Sequence, residues 1–89
     1  MSMGAIDPYE NVPTAAVYDA FAEAATRLTG RYTRLSDTAA SAEERERWWQ
    51  KALELRDAKR DVPADDRAQL IARIGEWEAE LARLSDDRG

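Results

Sequence analysis

The sequence has no cysteine and no histidine. The first absence excludes disulfides and a thiol nucleophile. Together they remove the usual ligands of zinc, copper and iron and every catalytic arrangement that uses imidazole as its base. Aromatic residues make up only 8%, with a single phenylalanine. No run of 18 or more apolar residues occurs, so no segment is expected to span a membrane. Basic residues are outnumbered, 13 against 18 acidic, giving a net charge of −5. With a pI near 4.7, that balance argues against nucleic acid as the partner, because phosphate binding needs a basic surface. Met1-Ser2-Met3-Gly4 lacks the basic and apolar regions of a signal peptide, so a cytoplasmic location is expected.

What is present points to helices. The length of 89 residues allows one domain. Of 39 hydrophobic residues, 17 are alanine, leaving 22 larger apolar side chains for a core. Alanine is the best helix former, and Val, Ile and Thr are too scattered for alternating strands. Eleven of the 13 basic residues are arginine, which fits the codon usage of a GC-rich bacterial genome and carries no functional signal.

Residues 1–12 hold Gly4, Pro8 and Asn11 and show no helical period. They are read as an irregular tail whose Ile6, Tyr9 and Val12 could dock on the body. Pro13 suits the first helical position. Beyond it Val17, Phe21, Ala24, Leu28, Tyr32 and Leu35 recur every three or four residues, an apolar stripe that predicts one helix over 13–37 despite Gly30. Ser41-Ala42-Glu43-Glu44 is a capping-box pattern opening a second helix over 42–61, which must stop before Pro63. Asp65 and Asp66 are expected in the first turn of a third helix, where the macrodipole favours acids. Its seam, Leu70, Ile74, Trp77, Leu81 and Leu84, spaces 4-3-4-3. Short connections then require an all-α, antiparallel three-helix bundle over 13–85, with 86–89 frayed.

No catalytic, cofactor or metal residues are assigned. Glu43-Glu44-Arg45-Glu46 and Glu54-Leu55-Arg56-Asp57 are superficially similar to the magnesium boxes of helical nucleotide pyrophosphohydrolases. Both lie on one predicted helix, however, and cannot face each other across a cleft. Small helical chorismate mutases share the size and use arginines, a lysine and a carboxamide. Arg27, Arg31, Arg34, Arg56, Lys51 and Gln69 supply those types, without the early first-helix arginine of that family. The Arg27–Arg31–Arg34 edge reads as a solvated face, with Glu23 placed four residues before Arg27 for an ion pair. Secreted helical hairpins with a Trp-x-Gly turn do not fit, since Gly75-Glu76-Trp77 has the reverse order.

Trp48 and Trp49 are the most informative pair. Adjacent helical residues point about 100° apart, so with Ala52, Leu53 and Leu55 they widen the apolar arc of helix 2 to about 180° and enclose Arg56 and Lys59. Either helix 2 touches both neighbours, or one tryptophan is left for another chain. Trp49 with Leu53 is the better candidate, flanked by Arg56. Tryptophan and arginine are the types most enriched at interface hot spots. Partner-binding residues are therefore assigned as Trp48, Trp49, Leu53 and Arg56. Trp77 is assigned to the core, and Tyr9, Tyr18 and Tyr32 to the boundary.

Size, charge and fold type resemble those of small acidic helical antitoxins, including the helical bundles that inhibit zeta-type kinases. That likeness implies a non-catalytic chain that binds and occludes a cognate toxin, kinase-like or nuclease-like. The alternatives are a self-associating structural or adaptor subunit, which makes a homo-oligomer, and a small carboxylate- or arginine-based enzyme of the two kinds above. The expected partner is another protein; no cofactor, nucleic acid or membrane is expected.

Overall fold

The computed structural model describes residues 9–87, with side chains described through Ser85. Three helices follow one another: α1 (Thr14–Asp37), α2 (Ala42–Asp61) and α3 (Arg67–Asp87). The expected docking of Ile6 and fraying at 88–89 lie outside the described residues, whereas helix continues through 86 and 87.

Local chemistry sets the ends. Pro13 has φ −58° and ψ 149°, so it caps α1 from outside the helix instead of occupying its first turn. Its carbonyl accepts from the Ala16 and Val17 amides, each at 3.0 Å. At the other end the Thr38 hydroxyl donates to the Arg34 carbonyl at 2.9 Å. Ser41 Oγ accepts from the Glu44 amide at 3.1 Å, the serine half of the capping box. Val62 takes the extended conformation that a following proline demands. The start of α3 differs from expectation. Asp66 stands at its cap, with Oδ1 accepting from the Gln69 amide at 3.2 Å and Oδ2 from Gln69 Nε2 at 2.8 Å. No acid lies in the first turn, because Asp66 accepts that turn's amide from outside it.

The core runs the length of α1, where Val17, Phe21, Ala24, Ala25, Leu28 and Tyr32 are buried. Leu70, Ile74, Trp77 and Leu84 of α3 and Ala52 and Leu55 of α2 close on it. Tyr32 is therefore a core residue and not a boundary one. Ser36, also buried, donates to the Arg45 carbonyl at 3.0 Å and ties the α1 end to the α2 start. At the opposite end Lys59 Nζ lies 6.0 Å above the Tyr18 ring, so α2 runs antiparallel to α1. In α3, Arg67 donates to the Tyr9 carbonyl, to the Val12 carbonyl at 2.7 Å and to Thr14 Oγ1 at 3.4 Å, near the α1 start. Arg31 donates to the Leu84 carbonyl at 3.4 Å near the other end. The path is up-down-up, an antiparallel three-helix bundle. Tyr9 and Val12 pack on the core, held there by the Arg67 fork.

The backbones of α2 and α3 each approach α1 and stay apart from one another, while side chains of both outer helices join one core and line a shared groove. Lys51 and Glu54 of α2 and Glu80 of α3 line that groove above Leu28, Leu55 and Trp77.

Gly30 and Gly75 sit mid-helix on exposed surface, and a methyl group added at either meets nothing within 4 Å. Glycine costs a helix about 0.5–1 kcal/mol relative to alanine. The Gly30→Ala, Gly75→Ala double variant is expected to gain about 1–2 kcal/mol in urea unfolding. Its melting point should rise by several degrees, at roughly 4–8 °C per kcal/mol for a domain of this size.

Candidate partner-binding face

α2 separates its two tryptophans by direction. Trp48 is half-buried and stacks on Tyr32 of α1, ring centroids 5.9 Å apart at 25°. Its indole N–H is buried without a hydrogen-bond partner. Trp49, one position on, is 45% exposed and is the only large hydrophobic side chain so exposed among the described residues. It lines a cleft of about 460 Å³ between α1 and α2, together with Leu53, Arg56 and Lys59. Ala25, Leu55 and Ala52 are its buried lining, and Thr26, Thr29 and Thr33 supply lining from α1. Three of the four residues assigned from sequence thus meet in one cleft. Trp48 does not, because its ring fills the space beside Tyr32.

The three threonines were not singled out from sequence. The threonines recur at helical spacing, a visible signal, but neutral hydroxyls carry meaning only once it is known which flank of α1 the second helix covers. The charges of the cleft are one-sided: Arg56 and Lys59 line it, and no carboxylate does.

On the other flank of α2 lies a smaller groove of about 300 Å³ with Leu28, Tyr32, Trp77 and Glu80 among its lining. Here the Tyr32 hydroxyl donates to Glu80 Oε2 at 2.8 Å. Arg83 donates to both carboxylate oxygens of Glu80, each at 2.9 Å. The Arg83 hydrogen bonds hold the Glu80 carboxyl below its usual range, with Tyr32 adding to the effect against a burial cost. Burial, then the Glu80 hydrogen bond, pushes the Tyr32 hydroxyl well above its ordinary value.

Both shifts translate into stability. Glu80 releases its proton more readily when folded, so its contribution is present above the unfolded carboxylate range and fades as pH falls through the folded value. Tyr32 holds its proton more tightly when folded, so its contribution is whole below its ordinary 10.0 and fades as pH rises above that. Urea midpoints measured across pH should therefore fall at both extremes. Glu80→Gln is expected to flatten the acid limb, and Tyr32→Phe the alkaline one. Limbs unchanged in these variants would assign the pH dependence to other groups.

The residue types weighed for catalysis are dispersed. Arg56 lines the α1–α2 cleft, Lys51 the opposite groove, and the Gln69 side chain is bound to Asp66. Arg31 is engaged with the α3 backbone. No ion pair joins Glu23 and Arg27 among the described residues, where Arg60–Asp57 and Arg83–Glu80 are formed. Among those residues no group of three or more acidic side chains is placed to hold a metal ion, and no helix is long and apolar enough to cross a membrane. No family model, curated protein or solved structure matches this chain.

Proposed function

We propose that this chain is a non-catalytic interaction module that docks another protein through the Trp49–Leu53–Arg56 edge of α2. Its specific form is a small acidic helical antitoxin that covers a cognate toxin. The observation that carries the reading is Trp49. An indole 45% exposed on a chain with few large apolar residues, beside a cleft with apolar depth and a cationic rim, has the make-up of an interface hot spot. The small size, acidic charge and helical fold support the antitoxin form, since occlusion requires a rigid surface and no reacting groups.

Co-expression with the product of the adjacent gene tests it. A discrete complex is expected, and the neighbouring product alone should arrest growth that this chain restores. Trp49→Ala should weaken the complex by about 2 kcal/mol, some thirtyfold. A complex indifferent to both Trp49→Ala and Arg56→Ala removes this face from the proposal. A neighbouring product harmless on its own removes the antitoxin form.

A further inference from the structure

We infer that the partner segment received by the α1–α2 cleft is an acidic amphipathic helix. The inference rests on the docking reading above and adds the partner's chemistry to it. Trp49, Leu53 and Arg56 line the cleft from α2 at helical spacing, and the same row continues to Arg45 and Arg60 one turn beyond its two ends. All are exposed or half-buried. Lys59 adds a further cation at the cleft, and the facing threonines are neutral. A chain of net charge −5 thus has no carboxylate lining this cleft.

The overall negative charge does not oppose an acidic ligand strongly. Salt screens exposed charges beyond about 8 Å at physiological ionic strength, so the nearest groups decide. Asp57 does accept from Arg60 at 2.9 Å and from Arg56 at 3.4 Å. Both pairs are exposed, of the kind worth little, and a partner carboxylate can take Asp57's place at low cost. The lining from Trp49 to Lys59 runs roughly 15 Å at the helical rise. That length seats about three turns, with apolar anchors at i, i+3 or i+4, and i+7 against Trp49 and Leu53. A second copy fits less well. An isologous pairing sets one patch against itself and would bring this cationic edge against its own image.

The test uses the full chain and a displayed library of helical peptides randomised on one face. The library is selected on the wild-type chain and counter-selected on Trp49→Ala and, separately, on Leu53→Arg. The enriched sequences are expected to hold an excess of Asp and Glu over the starting library. The best of them, titrated by fluorescence anisotropy, should bind at least tenfold more weakly to Arg56→Glu and more weakly as salt rises. Enrichment of neutral or basic peptides overturns the acidic assignment and leaves the docking reading standing. No enrichment on the wild type over either variant overturns both. A sedimentation profile showing a dimer that Trp49→Ala dissociates assigns the cleft to a second copy, and also overturns the inference.

Discussion

Replacing Phe21 by alanine is expected to leave little folded chain at room temperature. Phe21 is fully buried in the first half of α1 and is the only phenylalanine. Its ring centroid lies 5.1 Å from that of Trp77 on α3 and 5.6 Å from that of Tyr18. Truncation removes the ring's burial and leaves a cavity between two helices, at a cost of about 3–5 kcal/mol. A domain of 89 residues, at about 0.05–0.15 kcal/mol per residue, has roughly 4–13 kcal/mol in total, and one with few large apolar residues belongs at the low end. Far-ultraviolet circular dichroism at 25 °C should show most helical signal lost, or a urea midpoint less than half the wild-type value. Leu81→Ala, on the α3 seam that holds Trp77 but only half-buried, should cost distinctly less. A loss at Phe21 no larger than at Leu81 would mean that the helices close over the vacated space.

The second expected result sets two neighbouring residues apart. Trp48→Ala should destabilise the bundle by about 2–3 kcal/mol, below the figure for a fully buried tryptophan because the ring is half-buried. Trp49→Ala should fall within about 0.5 kcal/mol of wild type, as a surface substitution does. The difference follows from direction alone, since one ring stacks on Tyr32 and the other lines the cleft. Trp48→Phe refines the point. It keeps an aromatic ring against Tyr32 and removes an indole N–H that is buried without a partner. Leaving such a donor unsatisfied costs about 1–3 kcal/mol, so this variant should stay close to wild type. Urea unfolding of the three variants measures all of this. A melt that collapses for Trp49→Ala would show that its exposed indole supports the fold, and would remove it as a docking residue.

Much of the architecture was legible because its signals are local. Ser41, Pro63 and the three-four spacing of Val17 through Leu35 depend on nearby residues only, and they locate α1 and α2 within a residue. The start of α3 was misread because acids suit both the cap and the first turn. Gln69, three residues after Asp66, was the cue that separates them, and its bonds to Asp66 show it in use. The site was legible as a choice: adjacent tryptophans must diverge, and Leu53 and Arg56 follow Trp49. What the sequence could not supply was the side of α1 on which α2 lies. Backbone carbonyls used as tertiary acceptors were equally hidden. Ser36 finds that of Arg45 and Arg67 those of Tyr9 and Val12, and a carbonyl leaves no mark in composition.

Since the backbones of both outer helices approach only α1, the bundle is expected to open in parts. Amide hydrogens on the buried stripe of α1 exchange only when both interfaces are lost, so they should be the slowest in the molecule. α2 is held by two buried side chains, Ala52 and Leu55, by the half-buried Trp48 and Ala58 packed against the core, and by the links at its ends. It can swing outward as a unit while α1 and α3 remain paired, the behaviour of an independently opening segment. Of the cleft's two walls, α1 is expected to open last, and Trp49 stands on the other. An occupant that wedges the cleft wider than it stands does so against the least anchored helix.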